Sequence, residues 1–145
     1  MKITLKDGSV KEYSSAMSVY EIALDISEGL ARVACCGEVD GEVVDLRDIV
    51  DRDCSLNILT ANDKEGLKVL RHTTAHVLAE AVKRLFPEAK LTIGPSIDNG
   101  YYYDFDRAPF SREELDKIEA EMKKIIKEGA KLERFTASAR TCAVV

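Results

Sequence analysis

An α+β fold is predicted for this 145-residue chain by three features of the sequence: short alternating stretches joined by Asp-Gly pairs, two Ser-x-x-Glu helix starts, and a long apolar repeat at threes and fours around a histidine pair. With 46% hydrophobic residues and 32% charged ones, the chain has material for one substantial core or two small ones. No apolar run approaches the roughly 18 residues of a membrane span, and the start alternates instead of showing a basic and then apolar signal. The expectation is a cytoplasmic protein with no membrane partner. The net charge of −5 is unevenly spread: residues 1–63 hold six basic and thirteen acidic side chains, residues 64–145 fifteen and thirteen. Phosphate affinity comes from Lys and Arg, so any nucleic acid is expected to lean on the second half.

Residues 2–6 alternate and residues 10–13 follow Asp7-Gly8, which predicts an opening β-hairpin. Ser18-Val19-Tyr20-Glu21 is a capping box, with Met17 and Ile22 as its hydrophobic staple. The helix is expected to run about three turns, bury Val19, Ile22, Ala23 and Ile26, and stop at Gly29. Residues 32–36 and 42–46 read as strands around Asp40-Gly41, and residues 55–59 as a last strand. The order β-β-α-β-β-β places one helix across a mixed sheet, the β-grasp or ubiquitin-like arrangement. This half holds no histidine and no glycine-rich phosphate loop, and a small binding or docking module is its favoured reading. The cysteines, Cys35, Cys36, Cys54 and Cys142, form no Cys-x-x-Cys pair and read as reduced packing residues, with Cys35 and Cys36 on opposite strand faces.

Residues 61–66 are polar and aperiodic, which places a domain boundary there. The next helix carries Leu67, Leu70, Val77, Leu78, Ala81 and Leu85 as its apolar stripe and ends before Pro87. His72 and His76, the only two histidines, lie one turn apart on the side opposite that stripe, alongside Ala79, Glu80 and Lys83. Two readings fit: a solvated face, or a face that lines a cleft. A metalloprotease motif is excluded because Thr73 stands where His-Glu-x-x-His needs its glutamate. As zinc ligands the pair supplies only two of the usual four, so no metal is assigned.

Residues 91–97 are expected to pair with 101–106 across Asn99-Gly100, with Tyr101, Tyr103 and Phe105 on one face and Tyr102 and Asp104 on the other. Such an aromatic stripe packs a core or sets a tyrosine at the rim of a cleft. Ser111-Arg112-Glu113-Glu114 is a second capping box, flanked by Phe110 and Leu115. Its helix carries Leu115, Ile118, Met122, Ile125 and Ile126, with Gly129 as the stop. A strand over 131–135 is predicted last.

The run Arg71-His72-Thr73-Thr74-Ala75-His76, Phe86-Pro87, Ile93-Gly94-Pro95 and Asp98 to Asp104 resembles the amino-terminal part of threonyl-tRNA synthetase over about residues 1–135. The resemblance implies a TGS β-grasp domain at 1–62, the first part of an α+β editing domain at 63–135, and a tail at 136–145 that departs from the family. It also implies editing chemistry. Serine and threonine differ by a methyl group worth only about 1–3 kcal/mol in a pocket, so the family hydrolyses mischarged seryl-tRNA at a second site. That site joins a His-x-x-x-His, matched by His72 and His76, to a later Cys-x-x-x-His, and Tyr103 matches a tyrosine of its wall. No Cys-x-x-x-His follows here, since Cys142 has no histidine after it. The aminoacylation core, with its ATP and zinc sites and the usual homodimer contacts, is also outside this chain. The resemblance therefore implies a tRNA partner and half of an editing site, with no cofactor of the chain's own and no activity in isolation. Two alternatives stand beside it: a free-standing editing deacylase, and a non-catalytic tRNA-binding or regulatory TGS module.

Overall fold

The structure is a computed structural model that describes residues 1–130. The expected strand over 131–135, the tail and Cys142 lie outside the described residues.

The first half is built on a five-stranded mixed sheet. β1 (Lys2–Leu5) pairs antiparallel with β2 (Val10–Glu12) and parallel with β7 (Cys54–Thr60). β4 (Ala34–Val39) pairs antiparallel with both β7 and β5 (Glu42–Val44), so the order is β2-β1-β7-β4-β5. Both Asp-Gly turns form as expected. Gly8 has φ 82°, and in the second turn Asp40 and Gly41 have φ 51° and 88°, the left-handed pair that a twisted two-residue hairpin needs. Two two-residue strands not anticipated, β3 (Met17–Ser18) and β6 (Ile49–Val50), pair with each other at one end.

α1 (Val19–Ile26) starts on the expected capping box, with the Glu21 backbone donating to Ser18 Oγ and the Ser18 backbone to Glu21 Oε2. Two more amides of its first turn, Val19 and Tyr20, donate to the carbonyls of Asp48 and Leu46, which explains why β5 is shorter than predicted: the chain leaves the sheet to satisfy a helix end. The helix stops at Ser27, not Gly29. Ser27 is extended and its hydroxyl accepts from Leu30, so it caps a second short helix, α2 (Glu28–Val33), which takes residues expected to begin a strand. Ile3, Val19, Ile22, Val50 and Leu56 form the buried core between α1 and the sheet, with Met17 and Ile26 packed against it. Burying each such side chain is worth about 1.5–3 kcal/mol.

Residues 61–63 turn directly into α3 (Lys64–Leu85), and the polar stretch read as a boundary is a tight, bonded joint. The Asp63 carboxylate accepts from both the backbone and the hydroxyl of Thr60, and the Asp63 amide donates to the Thr60 carbonyl. Gly66 is buried against that same carbonyl, where a Cβ would overlap it. α3 thereby packs on β4 and β7 of the sheet.

The buried side of α3 differs from the predicted stripe. Gly66, Ala75, Ala79, Ala81 and Val82 are buried, whereas Leu70 is 43% exposed. The reason is that several neighbours meet the helix: Gly66 lies on the Thr60 carbonyl, Ala81 and Val82 cluster with Ile118 and Ile125, and a hairpin packs along the same helix. This hairpin is laddered at its ends, by β8 (Lys90–Leu91) with β11 (Phe105–Asp106), and by β9 (Ser96–Ile97) with β10 (Gly100–Tyr101). Its loop is Asp98-Asn99 with Gly100 paired to Ile97, not the expected Asn99-Gly100 turn, and neither loop residue has positive φ. The Arg71 guanidinium donates to the carbonyls of Ile97 and Asp98, which ties the loop to the helix in this register.

α4 (Arg112–Glu128) begins on its predicted capping box and ends on left-handed Gly129 at φ 61°. It packs on α3 through Ile118 and Ile125 against Ala81, Val82 and Ala89. Leu115, expected in the staple, is 46% exposed, and Phe110 turns instead to Phe86 and Phe105. Arg107 lies between the Phe86 and Phe110 rings, 4.2 Å from each centroid, and bonds Glu114 at 2.9 Å. Arg84 on α3 bonds Glu80, Glu121 and Glu128 and bridges the two helices. Among the described residues, no helix is long and apolar enough to cross a membrane.

Candidate functional site

His72 and His76 sit where one turn of α3 brings them together, both on its exposed side. Their Nε2 atoms are 3.1 Å apart and the rings meet edge to face, with centroids 4.6 Å apart at 81°. At that separation one Nε2 carries hydrogen and donates while the other accepts, so the bonded pair holds at most one proton between the two atoms. The geometry follows from the sequence at two levels. The four-residue spacing stacks the rings, and the burial of Ala75 and Ala79 on the same helix packs it against its neighbours.

Burial, and after it the charge of neighbouring His72, holds His76 below the usual histidine range. At neutral pH it is therefore the uncharged base. The two polar residues expected on the same side are engaged elsewhere. Lys83 donates to the carbonyls of Pro87 and Ala89 and closes the end of the helix, while Glu80 pairs with Arg84 at 2.7 Å.

Tyr103, the third residue singled out, lies on the hairpin. Its ring stacks on Phe105 at 4.9 Å and covers Gly94, where a Cβ would collide with it. The alternation is as expected: Tyr101, Tyr103 and Phe105 are half-buried, Tyr102 and Asp104 exposed. The structure thus joins His72 to His76 directly, and reaches Tyr103 through the hairpin that Arg71 fastens to the same helix. Arg71 was part of the motif but carried no assigned role. Its position beside His72 was the available signal.

Cys35, Cys36 and Cys54 are free thiols, and burial pushes all three above the usual thiol range. Cys36 is buried as expected, and Cys35 sits at the irregularity where β4 slips register against β7. Among the described residues no group of three or more His, Cys, Asp or Glu is arranged to hold a metal ion.

The mixed β-grasp sheet defines the class of the first half: residues 1–60 match the TGS domain family, and the match ends before the histidine helix begins. Over nearly its whole length the chain is similar to the amino-terminal region of threonine–tRNA ligases. It is 63% identical over 137 residues to that of Acetivibrio thermocellus, an alignment covering 94% of this chain and 22% of the relative. The enzyme of Clostridium botulinum strain Eklund 17B is 62% identical over 136 residues (93% and 21%), and that of Desulforamulus reducens 57% over 139 residues (95% and 22%). The chain spans about a fifth of the length of the curated relatives it matches.

Proposed function

We propose that this chain is the amino-terminal portion of a threonine–tRNA ligase, supplying a TGS module and one wall of the site that hydrolyses mischarged seryl-tRNA. Its partner in that role is the threonine-specific tRNA, in the cytoplasm. The parts that use ATP and zinc and that form the dimer belong to the remainder of the enzyme. The observation that carries the reading is the exposed pair of ring nitrogens at 3.1 Å on one helix face. Ester hydrolysis needs a base to take a proton from water and an acid to return one to the leaving ribose oxygen. A neutral His76 suits the first task, and its hydrogen-bonded neighbour can pass the proton on. Tyr103 lines the wall through the hairpin. In this reading the opposite wall is the Cys-x-x-x-His that the resemblance implies, which closes over the exposed pair.

The test is a chimera in which this chain replaces the matching segment of the Acetivibrio thermocellus enzyme. It should deacylate seryl-tRNA specific for threonine, and His72→Ala should lower that rate by about 100-fold or more, as removal of an acid–base catalyst does. Deacylation unaffected by His72→Ala and His76→Ala would end the proposal. Turnover by the isolated chain would favour the free-standing editor instead.

A further inference from the structure

The β-grasp half holds an aliphatic hollow that the histidine pair does not use. It lies between the start of α1, the β4–β5 hairpin and residues 48–52, has a volume of about 310 Å³, and is walled by Val19, Val39, Val44, Ile49 and Val50. All five side chains are β-branched and stiff, so the walls keep their shape. Val19 and Val50 are buried, Val39 and Val44 half-buried, and Ile49 is 62% exposed. The rest of the lining is charged: Asp48, Asp51 and Arg52. Arg52 is engaged by Asp40 at 2.7 Å, whereas exposed Asp51 has no ion pair or hydrogen bond among the described residues. Glu42, two residues from Val44 on β5, shares its face of the sheet by strand alternation and is likewise unpaired among the described residues.

Three properties narrow what fits. A carboxylate rim whose one arginine is already paired repels phosphate and attracts a cation, and the acidic excess of residues 1–63, thirteen against six, extends that preference around it. The volume stands at the small end of the roughly 300–1,000 Å³ of ligand pockets, which suits a single aliphatic side chain. β5 ends the sheet and its backbone bonds only to β4 among the described residues, so an extended chain can lie alongside it. We infer that the hollow docks an extended segment of another protein, with one aliphatic side chain in the cavity and a lysine or arginine two residues to either side. In a strand those three positions share a face, so the cations meet the carboxylates as the anchor enters. The same carboxylates reject acidic strands and nucleic acid, which gives the site its selectivity. Nothing in the inference rests on the ligase reading, since neither imidazole takes part.

The probe is the end-blocked peptide Lys-Thr-Ile-Thr-Lys, titrated into the isotopically labelled full chain and followed by NMR. Amide shifts centred on the β4–β5 hairpin and residues 48–52 are expected, with a Kd below about 1 mM. Serine in place of the peptide's isoleucine should weaken binding by about tenfold or more, as loss of a buried aliphatic side chain does. Glutamate in place of both lysines should abolish it. On the chain, Ile49→Ser and Asp51→Lys change exposed positions and should each weaken the lysine peptide by about fivefold or more. Glu42→Lys combined with Asp51→Lys should instead let the chain take the glutamate peptide, a gain that no unfolded variant can imitate. Circular dichroism matched to the parent checks each fold. Absence of saturable shifts at these residues would overturn the inference. So would equal binding of the serine peptide, which would leave charge attraction without a cavity, or an oligouridine that shifts the same residues, which would make the site one for nucleic acid.

Discussion

The two halves of this molecule are built around side chains of different size. In the first, five strands close over α1 around Ile3, Val19, Ile22, Val50 and Leu56, with large side chains at or near zero exposure. In the second, the buried cluster is largely Ala81, Val82, Ala89, Ile118 and Ile125, and the hairpin makes only two two-residue ladders. Apolar side chains remain outside in both halves, Ile49 at 62% exposure in the first and Ile93 at 62% in the second, so the difference lies in the size of the buried side chains. The TGS-like half is built around Ile and Leu side chains under a five-stranded sheet, whereas the described part of the histidine half packs largely through Ala and Val on paired helices. The larger buried side chains thus lie in the first half and the exposed histidine rings in the second.

The largest effect that separates them is core truncation. Ile22→Ala in the first half should cost toward the top of the usual 2–5 kcal/mol, and Ile118→Ala toward the bottom, because a thinner core relaxes around a cavity more easily. Urea unfolding of both variants measures this, and a larger loss at Ile118 would invert the comparison. Next comes the joint. Gly66→Ala forces a methyl group against the Thr60 carbonyl, and a loss of about 1–3 kcal/mol is expected, as for overpacking elsewhere. A neutral result in thermal unfolding would show that the halves do not meet so closely.

Smaller still are the caps. Ser18→Ala and Ser111→Ala should each cost about 1 kcal/mol, alike in both halves, since a capping box is satisfied locally whatever the core around it. The smallest effect is at the rings: replacing both histidines by alanine should change stability by less than about 1 kcal/mol at neutral pH, as at ordinary surface positions. A pH dependence accompanies it. Because His76 is held below 6.5, the unfolded chain takes up that proton first, so its contribution is full above pH 6.5 and declines as the pH falls from there toward the folded value. His76→Ala should flatten this decline, and an unchanged slope in denaturation curves between pH 5 and 7 would assign it to another group.

What the sequence made legible was local. Asp7-Gly8, Asp40-Gly41 and the two Ser-x-x-Glu boxes act within four residues and all formed as read. The histidine spacing is equally local, and the pair met. Asn99-Gly100 was a stronger turn signal than Asp98-Asn99, yet Arg71 holds the carbonyls of Ile97 and Asp98, and that distant contact set the register. Gly29 lost to Ser27 because a serine able to cap a second helix outweighs a glycine that only permits a stop. Leu70 and Leu115 fit an apolar period but face out, while Ala75 and Ala79 are buried. Periodicity marks which residues align, not which neighbour arrives.

The joint at Thr60 to Gly66 has a further consequence, one of phase. A helix turns about 100° with each residue, so the side of the molecule on which the imidazoles emerge is counted from where α3 leaves the sheet. Asp63 clamped to Thr60 and Gly66 pressed on the same carbonyl set that zero point. One residue added or removed between them would leave each half its own contacts and swing both rings, together with the hairpin that Arg71 ties to the same helix, more than a quarter turn around the axis relative to the sheet.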